Sequence, residues 1–61
     1  MKFYTNKDMI AVVDDNGVMY PFDYASVGSL SLFITYIKQH GIEGFSSMQF
    51  ELTEDFVEIT E

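Results

Sequence analysis

The chain has 61 residues, ten Asp and Glu against three Lys, no Arg and no Cys, and a formal net charge of −7. A domain of this size buries only about 60% of the surface it exposes when unfolded, and without Cys neither disulfides nor cysteine-based zinc sites can reinforce it. With neither arginine forks nor a basic patch, direct binding to nucleic acid or to an anionic membrane is a poor reading.

What remains is a well-packed core, and the composition supplies one. Hydrophobic residues make up 48% of the chain and aromatic residues 16%, including six Phe and four Tyr, well above the content of a disordered acidic segment. One domain is expected, over residues 1–61. Met1-Lys2-Phe3-Tyr4 leads into polar residues rather than an apolar run, so no secretory signal is read there and a cytoplasmic location is expected.

Lys2 to Thr5 reads as a first strand, Asn6-Lys7-Asp8 as a turn, and Met9 to Val13 as a continuous apolar strand rich in β-branched residues. Asp14-Asp15-Asn16-Gly17 follows, and Asn-Gly between two apolar runs is a strong hairpin signal because both residues tolerate positive φ. Val18 to Phe22 returns as the next strand. A two-residue turn would pair Asp15 with Val18 and gather Ala11, Val13, Val18, Tyr20 and Phe22 on one face. A three-residue loop with a bulge at Gly17 would shift that pairing by one. Pro21 has no N–H for a ladder, so its strand should have an open side or end there.

Asp23, Ser26 and Ser29 are each candidates to cap a helix. The helix itself is expected from near Val27 to Gln39, with Leu30, Phe33, Ile34 and Ile37 at the i, i+3, i+4, i+7 spacing of one buried face. Gly41 stands where a positive-φ cap belongs, and Lys38 and His40 suit the negative end of the dipole. Leu32 and Tyr36 lie on the adjoining flank with His40. That arc is wider than one sheet contact needs, so the flank is either the edge of the same core or the seam of a homo-oligomer.

Ile42 to Ser47 reads as a loop. Met48-Gln49-Phe50-Glu51-Leu52 alternates like a half-buried strand, Thr53-Glu54-Asp55 turns, and Phe56 to Thr60 forms a last strand. The fold class is therefore α+β, a single helix packed across a small antiparallel sheet in the order β-β-β-α-β-β.

The residues offer little chemistry. The Asp14–Gly17 cluster lacks the alternate oxygens and distant bidentate Glu of a calcium loop and reads as a turn. His40 has no serine, cysteine or carboxylate in register with it, and its place at a helix end needs no further role. Glu51 and Glu58 would neighbour each other across a terminal hairpin, but paired carboxylates act in a desolvated cleft, for which a chain this short leaves little room. No catalytic, metal or cofactor residue is assigned, and no enzymatic activity is expected.

Charge is the surviving signal. Glu51, Glu54, Asp55, Glu58 and Glu61 crowd the last eleven residues, and no Lys follows Lys38. On a strand, carboxylates at i and i+2 would sit about 6.7 Å apart, a row able to stand in for phosphates. In size and charge, though in no motif, the chain resembles the small acidic cysteine-free proteins that bacteriophages and mobile elements use to disable a host factor. That resemblance implies a non-enzymatic binding protein that occupies a partner's basic surface, one otherwise used for nucleic acid or for defence. The other reading is a homo-oligomeric structural subunit joined through the helix flank, with a seam at Leu32, Tyr36 and His40, or through an open sheet edge.

Overall fold

The computed structural model describes residues 1–60. Strands β1 (Lys2–Thr5) and β2 (Met9–Val13) form where the sequence reading places them, and β3 spans Met19–Asp23. Two helices follow, α1 (Tyr24–Val27) and α2 (Leu30–His40), and β4 (Val57–Ile59) closes the sheet beside β1. The sheet is antiparallel throughout, in the order β3-β2-β1-β4. This is the expected α+β arrangement, with a helix packed on the sheet.

The first turn is organised by Asn6, whose side-chain oxygen accepts the N–H groups of Asp8 and Met9 at 2.9 and 2.7 Å. The Asn6 N–H donates to the Met9 carbonyl at 3.0 Å. The second hairpin takes the longer of the two loops. Asp14 N–H donates to the Val18 carbonyl, Val13 pairs with Met19, and Gly17 holds a φ of 82°. The Asp14 carboxylate decides this, because one of its oxygens accepts both the Asn16 and Val18 N–H groups at 2.9 Å. The longer loop corrects the face assignment of the two-residue turn. Val12 pairs with Tyr20 and Ile10 with Phe22, so these four share the inner face, while Ala11 and Val13 lie on the other.

The helix start also differs from the expected Val27. Asp23 caps α1 by accepting the Ala25 N–H, Ser29 caps α2 by accepting the Leu32 N–H, and Gly28 separates them at φ 76°. A φ in that region ends a right-handed helix outright, so the segment is two helices. The far end matches expectation, with Gly41 at φ 83° donating to the Ile37 carbonyl at 2.8 Å.

The core is the contact between α2 and the inner sheet face. Phe3, Val12, Ile34, Ile37 and Ile42 are buried together, with Tyr20, Phe22, Leu30, Phe33 and Ile59 packed against them. Phe33 and Phe45 both meet the Phe22 ring edge-on, at centroid distances of 4.8 and 5.2 Å.

The expected strand over Met48–Leu52 is absent; the segment is irregular, and no terminal hairpin forms. The expected inward set of Met48, Phe50 and Leu52 holds in part: Phe50 and Leu52 are half-buried and Gln49 and Glu51 exposed, but Met48, at the start of the segment, is 60% exposed. At one end the Met48 N–H bonds the Met19 carbonyl on β3, and at the other the Asn6 side-chain amide bonds Asp55. The chain between them therefore runs from one side of the sheet to the other. It delivers β4 to β1 instead of to a neighbour in sequence, pairing Phe3 with Ile59 and Thr5 with Val57.

The bonding phase of every strand follows from the turns. In an antiparallel ladder, alternate residues direct both backbone groups to the same neighbour. Counting back from the Asn6–Met9 bond, Tyr4 bonds β2, and Phe3 and Thr5 bond β4. Counting on from the Asp14–Val18 bond, Tyr20 and Phe22 bond β2, so Met19 and Pro21 face the outer edge. Pro21 thus sits where no ladder N–H is required, on an edge strand as its chemistry demands.

Candidate functional site

Eight carboxylate residues are exposed among the described ones: Asp8, Asp15, Asp23, Glu43, Glu51, Glu54, Asp55 and Glu58. Asp14 is half-buried, held by its turn and by the Tyr20 hydroxyl, which donates to it at 3.3 Å. Among the described residues a single ion pair forms, between the terminal amine of Met1 and Asp15 at 3.0 Å. Lys2, Lys7 and Lys38 are exposed, and none makes an ion pair with another described residue. The acidic charge is therefore left to the solvent and to any partner.

The expected carboxylate row divides into separate places. Glu51 borders an open groove with Gly17, Val18 and Met48, at the β2–β3 loop. Glu58 lies on β4 opposite Tyr4, in a shallower groove shared with Lys2 and Lys38. Glu54 and Asp55 occupy the turn closed by the Phe56 N–H to Thr53 carbonyl bond. The Glu51–Glu58 neighbourhood expected from a terminal hairpin does not arise, because β4 takes β1 as its partner. Glu61 lies outside the described residues.

Among the described members of the set, Asp55 is the one whose side chain is tied into the fold. It accepts hydrogen bonds from the Thr53 hydroxyl and from the Asn6 amide, the latter at 3.0 Å. These bonds, the Thr53 one foremost, hold its carboxyl below the usual carboxylate range against a smaller opposing effect of desolvation. Asn6 thus organises its own turn and anchors the last segment. A turn-forming Asn signals the first role in sequence, whereas the second depends on a residue far along the chain.

The helix flank behaves differently from the core edge. Leu32 is 72% exposed and Tyr36 51%, so both stand clear of the sheet. His40 is exposed and its ring lies 4.4 Å from that of Tyr36, tilted by 33°. Leu32, Tyr36 and His40 form a stripe along one side of α2. No carboxylate occurs between Asp23 and Glu43, so the helical layer lacks the acidic charge that the strands and turns carry.

No family model matches the sequence, and no curated protein or solved structure matches it either. The functional reading rests on the residues themselves. No helix among the described residues is long and apolar enough to cross a membrane.

Proposed function

We propose that this chain is a small non-enzymatic binding protein that occupies a basic surface of a protein partner. The observation that supports this is the charge state of the surface: eight exposed carboxylate residues, with one ion pair among the described residues. Carboxylates left unpaired contribute little to the fold, but together they steer a cationic surface toward the molecule and reject acidic ones. A host protein that normally holds nucleic acid through Lys and Arg presents such a surface, and cytoplasmic residence would bring the two together. The test is capture of a partner followed by association kinetics. Association should slow steeply as salt rises, and Glu51→Lys, Glu54→Lys, Glu58→Lys together should weaken binding at least tenfold in a protein that still folds. A partner whose affinity ignores both salt and these reversals would overturn the reading.

The exposure of Leu32 and Tyr36 favours a second reading, a homo-oligomer joined along the α2 stripe. Two copies that each carry −7 can meet most readily where carboxylates are absent. Sedimentation of the parent against a Leu32→Glu, Tyr36→Lys variant decides it. A parent that stays monomeric at high concentration removes this reading.

A further inference from the structure

The two edges of the sheet are treated unequally. On β3 the outer edge presents Pro21, which has no N–H to offer, and its Met19 carbonyl is already taken by the Met48 N–H. Pro and covering chain are standard means of blocking further strand pairing. The β4 edge has neither, and is guarded by its three-residue length and the charge of Glu58, which turns away acidic strands and not basic ones. Among the described residues no strand pairs with its far side, and its three residues Val57, Glu58 and Ile59 include neither Pro nor Lys. Since Phe3 and Thr5 bond Ile59 and Val57, alternation turns the Glu58 N–H and carbonyl outward together. Val57, on the helix side of the same strand, is 64% exposed.

We infer that the outer edge of β4 is a strand-addition site for an extended segment of a partner protein that sets Lys or Arg opposite Glu58. This rests on the basic-partner reading and adds a geometry to it. An added antiparallel strand lies about 4.8 Å away, and the residue opposite Glu58 exchanges both backbone hydrogen bonds with it. That residue's side chain projects on the same face as the Glu58 carboxylate, where a cation is favoured and an anion repelled. Its two neighbours project on the face of Val57 and Ile59, where apolar side chains would cover exposed Val57. Lys2 and Lys38 share the Glu58 groove without pairing to it, so the carboxylate stays available. A second copy is a poor occupant, because antiparallel self-pairing centred on this residue sets Glu58 against Glu58 of the other copy. The ligand pattern is apolar, cationic, apolar.

The probe is an acetylated, amidated Val-Lys-Val-Lys-Val peptide, compared with a version N-methylated at its central valine and both lysines, and with Val-Glu-Val-Glu-Val. Binding by the full chain is followed by isothermal titration calorimetry, with the Glu58 amide monitored by hydrogen exchange. The lysine peptide should bind saturably and slow exchange at Glu58. N-methylation, which removes backbone donors and keeps the charge, should cost at least tenfold, and the glutamate peptide should not bind. Val57→Lys, which leaves the backbone intact and adds a repelling cation, should weaken binding severalfold. Equal binding of the methylated and plain peptides would overturn strand addition while leaving a charge-driven partner surface standing. Absence of binding by either lysine peptide, with a captured basic partner still bound, would likewise overturn the site alone. If that partner were also indifferent to salt and to the carboxylate reversals, both readings would fall. Concentration-dependent protection of Glu58 without peptide would assign the edge to a second copy and also overturn the proposal.

Discussion

Ile37 is fully buried, enclosed with Phe3, Val12, Ile34 and Ile42 at the contact between α2 and the sheet. Replacing it with alanine removes three buried carbons, worth about 2.4 kcal/mol of transfer free energy. The space left behind lies among Phe3, Val12, Ile34 and Ile42 and closes only in part, which adds about 1–2 kcal/mol. The expected loss is thus about 4 kcal/mol, against a total stability of roughly 3–9 kcal/mol for a domain of this length. Thermal melts followed by circular dichroism should show Ile37→Ala melting some ~15–30 °C below the parent, or already unfolded at room temperature. Leu32→Ala, about one and a half turns away on the exposed flank, serves as the control and should stay within about 0.5 kcal/mol of the parent. An Ile37→Ala protein melting within a few degrees of the parent would refute the placement of this face of α2 against the sheet.

Two further outcomes test the turns. Gly28→Ala meets open space, with nothing within 4 Å of the added carbon, so its cost is that of holding a side-chain-bearing residue at φ 76°, ψ −115°, about 1–3 kcal/mol in urea titration; a neutral result would show that α1 and α2 are not separated by a positive φ. Because the Asp55 carboxyl titrates below its unfolded value in the native state, its stabilising effect is fully present above an unfolded pKa of about 3.9 and lost as pH falls through the lower native value. The stability gap between the parent and Asp55→Asn should therefore narrow between pH 6 and pH 2, and a gap that stays constant would mean the carboxylate is not held by Thr53 and Asn6.

The elements that depend on near neighbours were legible in the residues. Lys2–Thr5 and Met9–Val13 are short runs bounded by polar turns, and the buried face of Leu30, Phe33, Ile34 and Ile37 follows from helical spacing alone. Asp14-Asp15-Asn16-Gly17 suits two hairpin loops equally as a string of letters. What separates them is a side-chain hydrogen bond, Asp14 to Val18 N–H, visible only in three dimensions. The alternation of Met48–Leu52 misled for a related reason. Period two reports which side chains are half-buried, and a chain crossing a sheet alternates as well as one joining it. The acidic surface was legible as charge but not as geometry, because the place of Glu58 depends on the choice of β1 over Met48–Leu52 as partner. Spacing alone suits Leu32 and Tyr36 equally to a core edge or to an oligomer seam, and their exposure in the single chain removes the core edge.

The adjacency of β1 and β4 also bears on the order in which the molecule assembles and opens. The β1–β2–β3 meander closes through short turns, whereas bringing Ile59 to Phe3 closes nearly the whole chain, at a length-dependent entropy cost of roughly 3–4 kcal/mol. Contacts of such separation form late, and a three-residue strand held by one neighbour is the first to leave. The native state should accordingly visit a form in which β4 is undocked and the meander intact. Within β1 the backbone then records two histories. Tyr4, bonded to β2, keeps its protection through such an opening, while Phe3 and Thr5, bonded to β4, lose theirs each time the last strand departs.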